Sequence, residues 1–384
     1  MDFSPSDDLK HVRMEIRAIC ARFPGEYWRG LEPDRYPDEF VTALTAGGWL
    51  GALIPPEYGG AGLDLAGACV ILEEINHSGG NAAACHAQMY VMGTLLRHGS
   101  EQQKRDYLPR IAAGELRLQA FGVTEPSAGS DTARIETRAE KVPGGYRLHG
   151  QKVFTSRAQH SDLMLVLART RPFVPDRRTE GLSLFLIDLR DRGSELSIRP
   201  LPTMVNHHTT EVFFDGLEIP DAALIGVEGQ GFRYLLDGLN AERILIASEC
   251  VGDGRWFVER AAEYSGRREV FGRPIGANQG VQFPIARAHV SVEAAALVRS
   301  RAAWLFDQGL ACGPEANMAK LLASEASWEA ANACLDTHGG YGFVREYDVE
   351  RKFRETRLYR VAPVANNLIL AYVAEHVLGM PRSF

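Results

Sequence analysis

The spacing of apolar residues changes twice along the chain. From residue 8 to about 118, apolar positions recur with helical spacing between glycine- and proline-rich breaks, which predicts an all-α region. Between about 120 and 225 the pattern changes to short apolar or alternating runs between turn residues, such as Leu163–Ala168 and Leu182–Ile187. From about 230 to the end, long helical patterns return. This order predicts an α+β multidomain protein.

We expect three domains from these changes of pattern. They are an N-terminal all-α domain (1–119), a middle antiparallel β-barrel or sandwich domain (120–229) and a C-terminal helical domain (230–384). The Pro- and Arg-rich stretch from Arg171 to Gly181 is predicted to be an exposed loop. With 384 residues, of which 45% are hydrophobic, the chain is long enough to bury several cores.

The charge pattern argues against nucleic acid as the main partner. The net charge of −7 comes from intermixed acidic and basic residues, so an anionic ligand would need a local basic pocket. The segment from Met1 to Asp8 lacks the layout of a signal or transit peptide, and no long uncharged apolar run follows it. We therefore expect a cytoplasmic protein that does not enter a membrane.

The cysteines and histidines give no sign of a metal site. The six cysteines are widely scattered without a CxxC pair, so we expect reduced thiols packed as small apolar residues. On an extended segment, His207 and His208 would point to opposite faces. We predict no bound metal.

Two glycine-containing motifs stand where the pattern changes. The first, Gly122–Asp131 (GVTEPSAGSD), lies where helix gives way to strand, and the second, Asp336–Phe343 (DTHGGYGF), lies in the C-terminal helical region. They resemble the two signatures of the acyl-CoA dehydrogenase family. The first departs from it at Arg134, where the family usually has a small residue, whereas the second fits and continues to Glu346, Arg351 and Glu355. Further matches at Gly229–Phe232 and Arg268–Gly272 extend the resemblance over nearly the whole chain.

The resemblance implies an N-terminal helical domain, a middle β domain and a C-terminal four-helix bundle. It also implies FAD as cofactor, an acyl-CoA substrate, a homotetramer or homodimer, and an electron-transferring flavoprotein as electron acceptor. Such an enzyme would serve fatty acid metabolism. It would oxidise the Cα–Cβ bond of the thioester to the 2-enoyl-CoA.

The resemblance also implies which residues hold FAD. The pyrimidine edge of the flavin would meet Val123, Thr124, Gly129 and Ser130. Phe154 would pack on the flavin and Ser156 would bond near N5, although Lys152–Ser156 also fits a plain strand and turn. The FAD of an adjacent subunit would be reached by Arg268, Phe271 and Gln279, with the arginine on the pyrophosphate. In the second signature the FAD contacts would be Asp336, Gly339 and Gly340, although the glycines also fit a simple helix cap.

The usual catalytic base of the family is missing. Members take a proton from Cα while hydride leaves Cβ for flavin N5, and most use a glutamate downstream of the second signature. Counting from Gly339 places that position at Pro363, and counting back from Glu375 places it at Ala362. Neither residue is a carboxylic acid.

Isovaleryl-CoA and long-chain acyl-CoA dehydrogenases carry the base on a neighbouring helix, just before an arginine that meets CoA. This sequence has Glu242 there, followed by Arg243, which makes Glu242 the leading candidate for the base. Leu235, Leu239, Glu242 and Ile246 follow one helix face, and a carboxylate on an apolar stripe is costly unless it has a function. A structural salt bridge or a solvent-facing Glu242 are the alternatives, and Glu249 lies on the same stripe. Asn240, Arg243 and Ser130 are the predicted substrate contacts.

Two other functions share this fold. A flavin oxidase, monooxygenase or desulfinase would keep the fold and change the chemistry. A non-catalytic acyl-CoA-binding homologue would explain the empty base position.

Overall fold

The structure is a computed structural model that describes residues 6–190 and 193–383. Residues 1–5 of the N-terminal segment considered above lie outside the described residues. The predicted order of helical, β and helical regions is confirmed.

Helices occupy both ends of the chain. The α-helices are α1 (Asp7–Cys20), α2 (Gly25–Leu31), α3 (Asp38–Ala46), α4 (Leu65–His77), α5 (Ala83–His98), α6 (Glu101–Ala112), α7 (Gly231–Arg267), α8 (Gln279–Asp307), α9 (Gly313–His338), α10 (Val349–Leu358) and α11 (Asn366–Tyr372). The strands are β1 (Leu118–Gly122), β2 (Arg138–Val142), β3 (Gly145–Ser156), β4 (Leu163–Arg169), β5 (Leu182–Asp188), β6 (Leu196–Pro200), β7 (Thr209–Pro220), β8 (Leu224–Ile225), β9 (Glu269–Val270) and β10 (Arg273–Pro274).

Contacts between residues divide the chain into two compact units. The first unit comprises the described residues of Met1–Glu32, Asp64–Ala82 and Asn240–Phe384. The second unit comprises Pro33–Leu63 and the described residues of Ala83–Leu239. The three-domain division 1–119, 120–229 and 230–384 follows the chain order instead, and it stays a prediction.

The second unit is built on a sheet ordered β6-β7-β3-β2-β4-β5-β8, with β1 beside β4. Most neighbours are antiparallel, but β1 and β2 both pair with β4 in parallel. The contact of β2 with β4 is a single pair, Arg138 and Arg169. Within the described residues, β6 and β8 at the two ends do not pair, so this β domain is an open mixed sheet rather than a closed antiparallel barrel.

The burial of strand β4 explains why the sequence of this sheet contains continuous apolar runs. Leu163, Leu165 and Leu167 lie in one buried cluster, which also includes side chains from α5 and α6. Met164, Val166 and Ala168 lie in a second cluster on the other face. Because successive side chains on a strand point to opposite faces, a strand buried on both sides is apolar at every position.

The first unit buries an ionic cluster among its helices. Glu73 on α4 is fully buried and accepts hydrogen bonds from Arg13 at 2.7 Å, Arg255 at 2.6 Å and Arg299 at 2.6 Å. Burial alone would raise the pKa of Glu73, but the three arginines outweigh it and lower the pKa to about 2. The cluster ties α1, α4, α7 and α8 together.

Two further predictions concern the chain as a whole. All six cysteines are buried thiols, as expected. No helix within residues 6–190 and 193–383 has both the length and the apolar character needed to cross a lipid bilayer.

Candidate active site

The first signature forms a tight turn after β1. Glu125 and Ala128 exchange backbone hydrogen bonds of 3.1 Å in both directions. The turn presents Gly129 and Ser130 to solvent, and a Cβ added at Gly129 would meet no heavy atom within 4 Å. A cofactor edge can therefore approach this backbone closely.

A buried lysine fixes the start of that signature. Lys152 is fully buried, and its Nζ donates to Glu125 Oε1 at 2.7 Å and to the Val123 carbonyl at 3.1 Å. Glu125 also accepts the backbone N–H groups of Glu136 at 2.6 Å and Thr137 at 2.9 Å. Burial lowers the pKa of Lys152 to about 8, against the opposing effect of Glu125. Burial alone would raise the pKa of Glu125, but Lys152 and the hydrogen bonds lower it overall.

Phe154 stands out of the strand that carries this lysine. The register of β3 against β7 shifts between Lys152 and Thr155, and Phe154 has a left-handed φ of 57° with 61% of its surface exposed. Beside it, the N–H of Val153 donates to the Thr124 carbonyl at 2.9 Å. The second unit therefore brings the first signature and the Lys152–Ser156 segment together, with an aromatic ring presented by a bulge.

Ser156 is oriented by a residue that the sequence analysis did not identify. Asn206 Nδ2 donates to Ser156 Oγ at 2.8 Å and to Thr209 Oγ1 at 3.1 Å. Arg157 in turn donates to Asn206 Oδ1 at 3.0 Å. Because the Ser156 oxygen accepts from Asn206, the hydroxyl hydrogen can be donated to an acceptor such as a flavin ring nitrogen. This segment thus fits the predicted cofactor contact.

Glu242 lies on α7 and only 8% of its surface is exposed. Every residue from 241 to 254 is buried, so the helix is enclosed on all sides and not along one stripe. The next residue, Arg243, is equally buried and donates to Asn240 Oδ1 at 2.9 Å. Burial lowers the pKa of Arg243, and its Nε finds no hydrogen-bond partner among the described residues. A buried guanidinium with an unused donor fits a site for an anionic or carbonyl-rich ligand.

The position that usually carries the base lies in a loop between α10 and α11. Lys320 on α9 is fully buried, and its Nζ donates to the Val364 carbonyl at 2.6 Å and to Asn366 Oδ1 at 2.9 Å. Burial lowers the pKa of Lys320 to about 8, while the charges of Arg243 and Glu242 act on it in opposite directions. The first unit thus places Glu242 and the Ala362–Val364 loop around one lysine.

Glu249, the alternative base on the same helix, has a structural environment. It is 1% exposed and accepts a hydrogen bond of 2.8 Å from the Tyr359 hydroxyl. Its backbone carbonyl accepts from Asn76 Nδ2 at 3.4 Å. This glutamate links α7 to α4 and to the residue after α10.

The residues predicted to reach another subunit project from the first unit. Arg268 precedes the β9–β10 hairpin, and its guanidinium carbon lies 5.9 Å from the ring of Tyr341. Phe271 at the hairpin tip has a φ of 55° and a fully exposed ring, with a relative exposure of 102%. Gln279 is the exposed first residue of α8.

The second signature divides into an exposed part and a buried part. Asp336, Gly339 and Gly340 are exposed, and added Cβ atoms at the two glycines would meet open space. Arg351, further along, is 2% exposed and donates to the Gly79 carbonyl at 2.8 Å. The glycine end is therefore available to a cofactor, whereas the arginine end is structural.

Sequence comparison covers most of the chain. Residues 6–115, 120–217 and 229–378 match the family descriptions "Acyl-CoA dehydrogenase, N-terminal domain", "Acyl-CoA dehydrogenase, middle domain" and "Acyl-CoA dehydrogenase, C-terminal domain". The chain belongs to the acyl-CoA dehydrogenase family. One similar protein is the acyl-CoA dehydrogenase of Bacillus subtilis (strain 168), 34% identical over 349 residues that cover 90% of this chain and 91% of the relative.

Solved structures agree with this membership. A glutaryl-coenzyme A dehydrogenase in complex with glutaryl-CoA is similar, with a TM-score of 0.92 and 31% identity over 100% of this chain and 98% of the other. The FAD complex of PigA is also similar, with a TM-score of 0.92 and 26% identity over 99% of this chain and all of the other.

Membership of the acyl-CoA dehydrogenase family confirms the predicted fold class, the oxidoreductase activity and FAD as the cofactor. Flavin-dependent dehydrogenation is the chemistry of the family, so the oxidase, desulfinase and non-catalytic alternatives are not favoured. Within the described part of the chain, no group of three or more His, Cys, Asp or Glu side chains is arranged to hold a metal ion.

The sequence patterns did not identify three residues that hold the site in place, which are Lys152, Asn206 and Lys320. Lys320 had a detectable signal, because it follows Ala316 and Ala319 and precedes Ala323 on a buried helix face. A lysine within such a stripe indicates a buried partner. Asn206 had none, since it contacts Ser156 across 50 residues of sequence.

Proposed function

We propose that this chain oxidises an acyl-CoA thioester to the 2-enoyl-CoA, with Glu242 removing the Cα proton, and that its electrons pass to an electron-transferring flavoprotein. FAD, when bound, accepts the hydride that leaves Cβ. The observation that carries the proposal is the buried carboxylate of Glu242, whose charge acts on the lysine that holds the loop of Ala362 and Pro363. That loop offers no carboxylate from Val361 to Asn367.

The flavin would be held by small or projecting residues. The backbone of Val123, Thr124, Gly129 and Ser130 would meet its pyrimidine edge, because the turn at Gly129 leaves room for close approach. Phe154 would pack against the ring system. Ser156, which accepts from Asn206, would donate its hydrogen toward N5. In the second signature the contacts would be Asp336, Gly339 and Gly340.

The thioester would be oriented by residues beside the base. Arg243 has a buried guanidinium whose Nε is unused within the described residues, and Asn240 fixes its other end. Arginine suits the CoA side because its donors match carbonyl and phosphate oxygens. Ser130 is the third expected substrate contact, through its hydroxyl group.

An assembly of identical subunits would complete the cofactor site. The fully exposed ring of Phe271, at the tip of a hairpin, offers apolar area of the kind that is enriched in interfaces between subunits. Arg268 and Gln279 stand near it in the sequence, on either side of the hairpin, and each is exposed. We therefore propose a homotetramer or homodimer in which these residues meet the FAD of a neighbouring subunit, and a cytoplasmic location for it.

The experiment is an anaerobic titration of the yellow holoprotein with straight, branched and cyclic acyl-CoAs, followed by the loss of flavin absorbance. With the best substrate, Glu242→Gln should slow flavin reduction by about 10² or more, because the amide keeps the size of the side chain and cannot take the proton. FAD binding should be unchanged.

The matched control is Glu249→Gln, seven residues along the same helix. It should reduce its flavin at close to the wild-type rate, since Tyr359 can donate to the amide oxygen. Wild-type kinetics in Glu242→Gln together with slow kinetics in Glu249→Gln would move the base to Glu249. Reoxidation of the reduced enzyme by air faster than by an electron-transferring flavoprotein would refute the proposed acceptor.

A further inference from the structure

The side-chain amide of Asn206, in the loop between β6 and β7, contacts three side chains of the second unit. Its Nδ2 donates to Ser156 Oγ at 2.8 Å and to Thr209 Oγ1 at 3.1 Å. Its Oδ1 accepts from Arg157 at 3.0 Å. Because the donor and acceptor ends of an amide have nearly the same shape, the hydrogen bonds of its neighbours decide which way it faces.

The first neighbour that fixes this amide is Arg157. A guanidinium group has donors and no acceptor, so the atom that faces it has to be the amide oxygen of Asn206. The arginine is buried, and its backbone has a left-handed φ of 59°. Its peptide N–H donates to the His208 carbonyl at 2.7 Å, and its own carbonyl accepts from Ser161 Oγ at 2.9 Å. The donor that faces Asn206 is therefore held by contacts on both sides of the peptide.

The second neighbour that fixes the amide is Thr209. Its hydroxyl group donates its single hydrogen to the backbone carbonyl of Asn206 at 2.6 Å. The hydroxyl oxygen can then only accept, so it has to face the amide nitrogen. Arg157 and Thr209 thus assign the same orientation to the amide, and each does so independently of the other.

The orientation of the amide determines what Ser156 can do. Because the amide nitrogen of Asn206 only donates, Ser156 cannot give its hydroxyl hydrogen to it. The hydrogen is directed away from Asn206, and Ser156 is half-buried, so its hydroxyl group can reach a ligand. Ser156 is thereby prepared as a donor.

We propose that Asn206, held by Arg157 and Thr209, is a positioning residue that makes Ser156 a fixed hydrogen-bond donor to flavin N5. The site then favours the oxidised cofactor, whose N5 accepts a hydrogen bond, over a ring that carries hydrogen at this position. The inference rests on the proposed function, because it explains how the proposed contact between Ser156 and N5 is oriented.

The test compares FAD with 5-deaza-FAD, in which a C–H group replaces N5. The holoprotein is equilibrated with an equal mixture of the two cofactors, and the ratio of bound cofactors is measured after gel filtration. The wild type should prefer FAD. Asn206→Asp should lower this preference about five- to tenfold, the contribution of about one hydrogen bond. A general loss of cofactor binding would affect both cofactors equally and leave the ratio unchanged.

The aspartate variant reverses one hydrogen bond and keeps the shape of the side chain. Asn206 has a left-handed φ of 54°, which aspartate also tolerates. A carboxylate beside Arg157 only accepts, so Ser156 would donate to it and no longer to the flavin. An unchanged cofactor ratio in Asn206→Asp would overturn the inference.

Ser156→Ala shows whether Asn206 acts through Ser156. This variant should lower the preference for FAD as much as Asn206→Asp does, and combining the two substitutions should lower it no further. A further decrease in the double variant would overturn the inference. An unchanged ratio in Ser156→Ala would refute the proposed contact with N5, and the inference with it.

The role of Arg157 is tested by a pair of substitutions. In Arg157→Lys the ammonium group still only donates, so the amide keeps its orientation and the ratio should stay close to that of the wild type. In Arg157→Glu the carboxylate only accepts, so the amide should turn and the preference for FAD should fall. Equal ratios in the two variants would overturn the assignment of Arg157.

The exchange measurement is independent of the proposed reaction, because it uses no acyl thioester and no turnover. If no acyl-CoA bleaches the wild-type flavin, the proposed reaction fails. The cofactor ratio then still decides whether Asn206 positions Ser156.

Discussion

Lys152 in the second unit and Lys320 in the first are both fully buried, and each holds a backbone carbonyl at a predicted site motif. Lys152 donates to Val123 in the first signature and to the Glu125 carboxylate. Lys320 donates to Val364 in the loop that lacks the usual base and to the amide oxygen of Asn366. Burial lowers the pKa of both lysines to about 8. The amine of Lys152 is bonded to a carboxylate, whereas the amine of Lys320 is bonded to neutral oxygens.

A third buried lysine shows how two carboxylate partners change the pKa of a buried amine. Lys352 on α10 is fully buried beside the carboxylates of Asp253 and Glu355. Burial would lower the pKa of Lys352, but these two carboxylates outweigh it and raise the pKa. A single carboxylate or a pair of neutral oxygens therefore leaves a buried lysine easier to deprotonate, and its surroundings sensitive to substitution.

The largest loss of stability should come from replacing Lys152, the lysine that is paired with a carboxylate. Lys152→Met leaves Glu125 buried without its cation, which should lower the free energy of unfolding by about 3–5 kcal/mol. Urea unfolding of the holoprotein, followed by far-UV circular dichroism and flavin fluorescence, measures it. Adding Glu125→Gln to Lys152→Met should restore part of the loss, because the carboxylate charge is gone. A double variant as unstable as the single one would show that packing, not charge, sets the effect.

A smaller loss of stability should follow from replacing Lys320, the lysine whose partners are neutral oxygens. Lys320→Met leaves the Val364 carbonyl and the Asn366 amide oxygen short of a donor, which should lower the free energy of unfolding by about 1–3 kcal/mol. The same urea measurement tests it. Flavin reduction should also change, since the charge near Glu242 is removed. A loss equal to that of Lys152→Met would contradict the comparison.

The smallest effect is a dependence on pH. Both lysines have a folded-state pKa of about 8, below the value of 10.5 for an unhindered lysine, so the unfolded chain binds more protons in this window. Their contribution to stability is present above pH 10.5 and is lost as the pH falls through about 8. The free energy of unfolding of the wild type should therefore increase relative to that of Lys320→Met as the pH rises from 8 to 10.5. The increase should be less than about 1.4 kcal/mol per pH unit. A constant difference would show that Lys320 has an ordinary pKa.

Local sequence patterns predicted the helical and β regions, and the resemblance to the family located the two glycine motifs. They succeeded because apolar spacing reports burial directly: β4 is apolar at every position since both of its faces are covered. The same reasoning predicted one buried stripe on α7, whereas the helix is enclosed on all sides around Glu242. Periodicity shows that a position is apolar, but not how many neighbours surround the helix.

The polar supports of the site were beyond such patterns. Lysine and asparagine usually lie at the surface, so neither Lys152 nor Asn206 signals burial by its type. Their partners are also distant in sequence: Lys152 bonds to Glu125 across 27 residues, and Lys320 bonds to Asn366 across 46. Pairings of this kind depend on strand register and helix packing, which a single sequence does not encode locally.

The β9–β10 hairpin, with Phe271 fully exposed at its tip, bears on how two defective alleles of the gene combine. If each copy lends this hairpin to another copy's cofactor, a working site contains parts from two gene products. A lesion at Glu242 and a lesion at Arg268 then fall on different contributions to one site. Two alleles that each encode an inactive protein can complement each other when their products assemble together, because a fraction of the mixed sites receives both intact parts.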